Sequence, residues 1–565
     1  MHDIVIRGAT ICDGTGRDRF VGSVAVTEGK IVGISKGDGA NEAARELIDA
    51  DGLVLAPGVI DPHTHYDAQV VWDPLLTSSS WHGVTTAVQG NCGVGVAPLS
   101  PAMRESAMWD LVHVEDIPFQ TLSAGLDWRW ESFGEYLDAM DERGLGPNVA
   151  ALVPLSPMRQ TIMGKQAQER QANGEETKAL ANLFRKSLQE GGFGWSSSFL
   201  DAHVGFEGRP IACRQAGREE LEALCRVMRE EDTGTTQLVF NIPELGSITD
   251  DGLETIRFIR EMSRRPLTYL ATINHPNDPR SYLKTVEKLG DLLDSGQVVP
   301  QFPVKPLKSN FNLKTPNTLS FTDTMRGVLS GDLDSRKQAY GDPIFRDALS
   351  KELECHERSK GFFYRLRFLN GGSTTVRRLA DSGKSVAELA KEESRAPVDL
   401  WLDTALDDDL QTEFTFQQAA FEPEGVRNLI QDGRFLPGLG DGGAHLNALN
   451  DTGYPTHLLG HWCRDEGAVS LEEGVRLLTS FPASVFGINR RGRIEEGFHA
   501  DLMLFDPALV GCLESEYVAD LPGGGSRLVA PSRGVNMTIV NGQILYREGK
   551  HTGALPGRML RSYDR

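Results

Sequence analysis

Eight short apolar segments, separated by stretches of helical character, constrain the fold of this 565-residue chain more than any other feature. Helical runs such as 175–191 and 218–232 follow them. Repeated β-then-α units predict a parallel sheet, and eight of them predict an α/β fold of the TIM type, a (β/α)8 barrel. An open doubly wound sheet is the alternative, but no glycine-rich phosphate fingerprint follows the early strands. The predicted strands are 58–61, 84–91, 148–155, 191–199, 235–243, 267–275, 298–304 and 435–441.

The two ends of the chain have a different sequence pattern, in which short segments of alternating apolar and polar residues are joined by tight turns. Glu28-Gly29 and Asn541-Gly542 are hairpin signals at opposite ends of the sequence. We therefore predict a small composite β-sandwich domain from residues 1–57 and 487–565, and a barrel domain from residues 58–486. Inside the barrel domain, the charged stretch around 305–430 is predicted to be a helical insertion that forms a lid or an oligomer contact.

Composition excludes several classes of partner. The formal net charge of -21 argues against nucleic acid and against an anionic membrane surface, both of which attract clustered lysine and arginine. The N-terminus lacks the pattern of a signal peptide, and no apolar run reaches the length of a membrane span. The seven cysteines are scattered without a C-x-x-C pair, which is typical of a reducing cytoplasm. We expect a small-molecule substrate, and a homo-oligomer is an open option.

The first predicted barrel strand ends in two histidines, within "GVIDPHTHYD". In an extended chain, His63 and His65 point to the same side, so both imidazoles can reach one ion. One catalytic and one structural histidine is the alternative. Catalytic groups of a barrel lie at the carboxyl ends of its strands, and this position favours metal ligation.

Two further strand ends carry candidate groups. Cys92 follows strand two within "GNCG", where a thiolate is a good zinc ligand, although a nucleophile beside the histidines or inert packing are alternatives. Asp441 follows strand eight within "GDGGAH" and suits a metal ligand and general base that deprotonates water. An Asx turn or a helix cap is the alternative for Asp441.

Together these motifs resemble the amidohydrolase superfamily and, within it, the D-aminoacylase (N-acyl-D-amino-acid deacylase) branch. The resemblance lies in "APGVIDPHTHYD", "HGVTTAVQGNCGVGVAPL", "GLGDGGAH" and "SFPASVFGINRRGRIEEGFHADLMLFDP". It implies a (β/α)8 barrel with a composite β-sandwich. It also implies that His63, His65 and Cys92 are metal ligands and that Asp441 is the catalytic base.

The sequence departs from that family at strands five and six, where the resemblance implies one histidine each. Strand five ends in "VFNIPE", with Asn241 and Glu244 but no histidine. Strand six offers His275, in a context that is only loosely similar, as a further candidate ligand. We therefore expect one ion, zinc or another divalent metal, held by His63, His65, Cys92 and Asp441 in a way that differs from the family.

The loop after strand four, "DAHVGFEGRPIACR", supplies candidates for substrate binding. Such loops shape the mouth of a barrel, and an arginine there can take a carboxylate in a bidentate pair. A surface turn with solvated arginines is the alternative. The candidate substrate-binding residues, including two outside this loop, are His203, Arg209, Arg214, Asn241 and His445.

Three functions remain in competition at this point. The first is a metal-dependent hydrolase of a small amide, such as an N-acyl (D-)amino acid, with Asp441 as the general base. The second keeps the same site and hydrolyses a lactone, an ester, a cyclic imide or a ring amide. The third is a degenerate, non-catalytic binding protein, which the missing strand-five histidine suggests.

Overall fold

A computed structural model describes residues 1–37, 43–242, 245–314, 322–329, 331–354, 368–369, 374–376, 384–419 and 422–564. Glu244, at the end of predicted strand five, and Cys355, one of the seven cysteines, lie outside the described residues. Within these ranges, no helix combines the length and the apolar composition needed to cross a bilayer.

The centre of the molecule is a barrel of eight parallel strands, all of them buried. Each strand pairs with the next along the chain, and the third is formed by two consecutive segments. Strands buried on both faces read as continuous runs rather than as alternating ones, which is why the sequence locates them well. The segments are Val59–Asp61, Val84–Gln89, Asn148–Ala151 with Val153–Pro154, Gly194–Ser198, Thr235–Val239, Leu267–Leu270, Val298–Pro303 and Leu436–Gly438.

The barrel closes between its first and last strands, just beyond their carboxyl ends. Thr64 and Gly442 form a parallel bridge there. The Asp441 N–H donates to the His63 carbonyl over 3.1 Å, and the His65 N–H donates to the Gly442 carbonyl over 2.7 Å. The predicted TIM-type barrel is therefore confirmed. The two chain segments with the strongest chemical motifs meet at this closure.

Helices cover the outside of the barrel. Gly174–Gln189 shows why they form: the Asn173 side chain accepts from the N–H groups of Glu175 and Glu176, while Leu180, Phe184 and Leu188 make one buried face. Leu458–Asp465 is a π-helix. The other helices of four or more residues outside the insertion are Tyr66–Gln69, Ser79–His82, Arg104–Glu115, Phe119–Gly125, Phe133–Arg143, Leu155–Met163, Gly164–Gln168, Ala212–Gln215, Arg218–Glu231, Asp250–Ser263, Leu283–Leu289, Asp291–Asp294, Pro423–Asp432, Tyr454–His457, Leu471–Leu478 and Ser480–Phe486.

A nine-stranded sheet combines both ends of the chain and forms the predicted β-sandwich domain. Its centre is the antiparallel pairing of Val54–Pro57 with Leu502–Phe505, and apolar residues from both ends share one cluster. The boundaries at 57 and 487 stay a prediction. The remaining strands are His2–Ile11, Phe20–Thr27, Lys30–Lys36, Ala44–Asp49, Val535–Val540, Gln543–Arg547 and Lys550–His551, with separate two-stranded pairs Gly511–Cys512 with Ser532–Arg533 and Glu516–Leu521 with Gly525–Val529.

The insertion has its own apolar core around Tyr340, Trp401 and Phe414. Its described part contains helices and also an antiparallel three-stranded sheet that the sequence did not indicate. The strands are Leu307–Phe311, Thr374–Val376 and Phe414–Ala419, and the helices are Asp323–Leu329, Leu333–Gly341, Pro343–Glu354, Val386–Glu392 and Pro397–Leu406.

A buried ion pair of the sandwich lies where the sandwich meets the barrel. Asp501 pairs with Arg491, and both side chains are 3% exposed or less. Asp501 also accepts from the Asn148 side chain and from the Asn541 N–H.

We expect Asp501→Ala to lower the free energy of unfolding by about 3–5 kcal/mol, because it leaves a buried guanidinium without a partner. The matched control is Asp49→Ala, which breaks the exposed ion pair with Arg7 and should cost about 1 kcal/mol or less. Urea unfolding of both variants measures the difference, and equal effects would contradict the structural role of the buried pair.

Candidate metal centre

The two histidines of strand one point their Nε2 atoms at the thiol of Cys92. The Cys92 Sγ lies 3.5 Å from His63 Nε2 and 3.7 Å from His65 Nε2. These three side chains form a buried group in which every ligand atom lies within 4.8 Å of every other. The predicted alternation of strand one therefore holds, and both rings face one point.

A strained turn presents Cys92. Its backbone has φ of 57°, between Gly90 and Gly93, whose φ values are 79° and 75°. The Cys92 N–H donates to the Gln237 side chain over 2.8 Å, and the Gly93 N–H donates to Ser196 Oγ over 3.0 Å. A left-handed conformation at a non-glycine residue persists only where the surroundings enforce it, and it is common at functional sites.

Asp441 approaches the same histidines from strand eight. Its Oδ1 lies 3.5 Å from His63 Nε2 and 3.9 Å from His65 Nε2. Its side chain is 14% exposed, whereas that of His63 is fully buried. The loop sits this close because Gly443, with φ of 91°, has no Cβ, which would lie 2.5 Å from the His65 carbonyl oxygen. Asp441 is therefore the member of the group that faces solvent.

Burial sets the protonation of this group. It lowers the pKa of His63 to about 3, and it raises the pKa of the Cys92 thiol well above its usual range, an effect to which Glu115 adds. It also raises the pKa of Asp441 to about 7, with a contribution from Asp451. Neutral imidazoles are ready to act as ligands, and a bound cation would favour the thiolate and the carboxylate.

The spacing of these donors suits a divalent metal. Around a tetrahedral zinc ion, nitrogen at ~2.0 Å and sulfur at ~2.3 Å lie about 3.5 Å apart. The distance from His63 Nε2 to Cys92 Sγ, 3.5 Å, matches that value. Two imidazoles and a thiol match the number and kind of protein ligands that a catalytic zinc site uses.

A small cleft opens next to Asp441. Its wall includes Gln69, Leu446 and Asn450, and also Arg527 from the C-terminal part of the chain. Arg527 is already engaged, because it pairs with Asp73 over 3.0 Å and with Asp520 over 2.8 Å.

His203 reaches the centre from the loop after strand four. Its Nδ1 lies 2.8 Å from Ser198 Oγ, and its charge contributes to the lowered pKa of both His63 and His65. Since Nδ1 is occupied, Nε2 is the ring atom left for a ligand.

Two of the residues predicted to bind substrate hold this loop in place. Asn241 accepts from the Asp201 N–H over 2.9 Å and donates to the Phe199 carbonyl over 3.2 Å. Arg214 donates to the carbonyls of Asp201 and His203 over 3.1 and 3.3 Å. Asn241 thus stands where the resemblance implied a histidine, and it anchors the loop that carries His203.

The structure does not bring every candidate to the centre. His275 is exposed, and its Nδ1 accepts from the Asn277 N–H over 3.1 Å. Strand six ends at Leu270, and the turn that follows carries His275 outward, which corrects its proposal as a ligand. Arg209 is also peripheral, paired with Glu169 and Glu207 over 2.6 and 2.8 Å.

His445 and one residue that the sequence did not reveal complete the surroundings. His445 lies near His65 and His203 and contributes to the lowered pKa of both rings. The unforeseen residue is Glu115, whose Oε1 lies 3.2 Å from His65 Nδ1. A carboxylate at the C-terminal end of a helix opposes the helix dipole, and this local conflict was the available signal.

Comparisons with known proteins agree with this geometry. Residues 46–546 match the amidohydrolase family. The chain is 26% identical to a D-aminoacylase of Alcaligenes xylosoxydans xylosoxydans, over 99% of this chain and 97% of that protein.

Two solved structures share the fold over nearly the whole chain. A crystal structure of D-aminoacylase has a TM-score of 0.67 at 23% identity, and the match covers 99% of this chain and 100% of that one. An N-acyl-D-glutamate deacylase of Bordetella bronchiseptica, complexed with zinc and a phosphonate mimic of the tetrahedral intermediate, has a TM-score of 0.66 at 21% identity, with 99% of both chains covered.

Proposed function

This chain belongs to the amidohydrolase family, in its D-aminoacylase branch, and we propose from that membership that it hydrolyses the C–N bond of a small N-acyl (D-)amino acid. One observation carries the proposal: His63, His65 and Cys92 converge within 4.8 Å, and the Asp441 carboxylate lies 3.5 Å from His63. The similarity to the D-aminoacylase and to the N-acyl-D-glutamate deacylase supports the substrate class.

We assign one zinc ion to the centre, held by His63, His65 and Cys92, with Asp441 at its open side. When bound, a divalent metal supplies the positive charge that makes water acidic enough to attack an amide at neutral pH. Burial of the three ligands excludes competing solvent, and the partial exposure of Asp441 gives substrate its route to the reaction.

Asp441 performs the proton transfers. Its carboxylate takes a proton from the attacking water and then delivers it to the amide nitrogen as the C–N bond breaks. The hydrogen bond from its N–H to the His63 carbonyl fixes the loop against strand one, so the carboxylate stays oriented through both transfers.

His203 acts on the substrate rather than on the proton of water. With Nδ1 held by Ser198, its Nε2 can donate a hydrogen bond to the substrate's carbonyl oxygen, where negative charge develops. We expect His203→Ala to lower kcat/KM by about 100-fold, as loss of one such donor does, with zinc content unchanged. The matched control is His275→Ala on the exposed turn, which should alter neither quantity. Loss of zinc from the His203 variant would reassign the residue as a ligand.

A second candidate, hydrolysis of an uncharged ring amide, cyclic imide, lactone or ester, is favoured by the charges around Asp441. Arg527 in the cleft wall pairs with two aspartates, and Lys305 pairs with Asp451 over 3.4 Å. An N-acyl amino acid carries a carboxylate, which needs an available cation. Arg527 and Lys305 are already paired with aspartates, and an uncharged substrate does not need them.

Assays of the zinc-loaded and the metal-free protein separate these functions. N-acetyl-D-amino acids, their L-enantiomers and a panel of uncharged ring amides, lactones and esters are the substrates. Turnover confined to N-acyl-D-amino acids and dependent on metal supports the first proposal. Turnover confined to uncharged substrates supports the second, and no turnover with a full complement of zinc supports a binding protein.

We place this enzyme in the cytoplasm. The described cysteines, Cys12, Cys92, Cys213, Cys225, Cys463 and Cys512, are all free, which suits a reducing compartment. Its assembly into a homo-oligomer stays a prediction.

A further inference from the structure

Glu115 reaches the metal centre from a part of the chain outside the barrel strands. It is the last residue of helix Arg104–Glu115, which belongs to the long connection between strands two and three. Asp116, with φ of 51°, ends the helix in a left-handed turn, and the following Ile117 is 1% exposed. The end of the helix is therefore anchored in the core.

The side chain of Glu115 is directed at the outer nitrogen of His65. Its Oε1 lies 3.2 Å from His65 Nδ1, and the two side chains are 3% and 2% exposed. Neither atom has a hydrogen-bond partner among the described residues, so two buried, unsatisfied polar atoms face each other. The opposite ring nitrogen, Nε2, lies 3.7 Å from Cys92 Sγ. His65 thus stands between a carboxylate and the point at which the ligands converge.

This arrangement is costly unless it serves the centre. A carboxylate at the C-terminal end of a helix is opposed by the helix dipole, and burial of a charge without a partner is strongly unfavourable. An imidazole whose far side binds a cation is the partner that offsets both costs, since a ligating histidine usually donates its other N–H to a carboxylate or carbonyl.

We propose that Glu115 is a positioning residue of the metal centre, accepting a hydrogen bond from the Nδ1–H of His65 so that the Nε2 lone pair is kept for the metal. The inference rests on the metal-dependent function proposed above. Glu115 itself touches neither the metal nor the substrate. Its contribution passes through the tautomer and the orientation of the His65 ring.

The main chain of the same residue supports the opposite side of the centre. The Glu115 carbonyl accepts from the His445 N–H over 2.5 Å, and His445 ends the turn in which the Ala444 N–H donates to the Asp441 carbonyl over 2.9 Å. Side-chain substitutions at 115 leave this backbone bond in place, so they test the contact with His65 separately from the support of the Asp441 loop.

The test compares Glu115→Gln and Glu115→Ala with the unchanged protein. Competition with a chromogenic chelator gives the Kd for zinc, and the absorption spectrum of the cobalt(II)-loaded protein reports the ligand geometry. We expect the Kd to rise 10- to 100-fold, more in the Ala variant than in the Gln variant, whose amide oxygen still accepts. We also expect an altered cobalt spectrum at saturating cobalt. The control is Glu105→Gln, because Glu105 is an exposed carboxylate in the first turn of the same helix.

A merely structural role would lower the melting temperature of the metal-free protein and leave the cobalt spectrum unchanged. That result, or a zinc Kd within twofold of the unchanged protein in both variants, overturns the proposal. If Glu115→Ala does not fold, Glu115→Gln alone decides. Because the readouts are zinc affinity and the cobalt spectrum, they remain valid if the protein binds metal but fails to hydrolyse amides, a result that overturns the proposed function only.

Discussion

Asp441→Asn is expected to lower kcat for amide hydrolysis by about 10²- to 10⁴-fold, the usual contribution of a positioned acid–base group. An amide side chain cannot take a proton from water at neutral pH, nor return one to the leaving nitrogen. The side chain keeps its shape, and the backbone bond from residue 441 to the His63 carbonyl does not involve the carboxyl group. The fold should therefore be unchanged.

Zinc content should also survive this substitution, because His63, His65 and Cys92 remain as three ligands. The matched control is Asp432→Asn, at the end of the helix that precedes strand eight, where the carboxylate pairs with Arg434. Steady-state kinetics and elemental analysis give both quantities. Turnover within about tenfold of the unchanged enzyme is too high for loss of a general base and would remove Asp441 from that role.

Cys92→Ser is expected to have the largest effect on metal binding. Serine has nearly the same size, but its hydroxyl does not ionise near neutral pH, so the centre loses its one thiolate. The zinc Kd should rise by more than the 10- to 100-fold that loss of an outer hydrogen-bonding partner causes. Because the metal is then lost, activity measured without added zinc should disappear.

Cys225→Ser is the control for this substitution. Cys225 is a fully buried cysteine on helix Arg218–Glu231, so it measures the cost of placing a hydroxyl where a thiol was packed. The melting temperature of the Cys225→Ser protein should fall, while its Kd for zinc stays the same. A Cys92→Ser protein that binds zinc as tightly as the unchanged one would instead assign Cys92 to packing or to nucleophilic chemistry.

The sequence predicts the barrel well because its strands are buried on both faces. The eight apolar runs correspond to the eight strands, and the rule that catalytic groups lie at carboxyl ends then brings the His63, Cys92 and Asp441 segments together. That inference needs no side-chain detail. The topology alone makes the eighth strand a neighbour of the first.

The contacts that the sequence did not predict depend on loops. His275 follows strand six closely in sequence, yet the turn after Leu270 directs it to solvent. Glu115 lies 50 residues after His65, and its conflict with the helix dipole marks Glu115 as unusual without identifying His65 as the residue it contacts. The strands of the insertion were also missed, because a charged stretch gives little alternation to read.

The closure of the barrel has a consequence for how the enzyme matures. His63 leaves the ribosome early, whereas Asp441 and the strand that precedes it follow several hundred residues later. The first and last strands pair across this closure, through Thr64 and Gly442. A growing chain therefore cannot possess the complete centre, because Asp441 reaches His63 only when the last strand closes the barrel. The three clustered donors, His63, His65 and Cys92, are all synthesised early, within 30 residues of one another. The carboxylate proposed for proton transfer is the last part of the centre to be added.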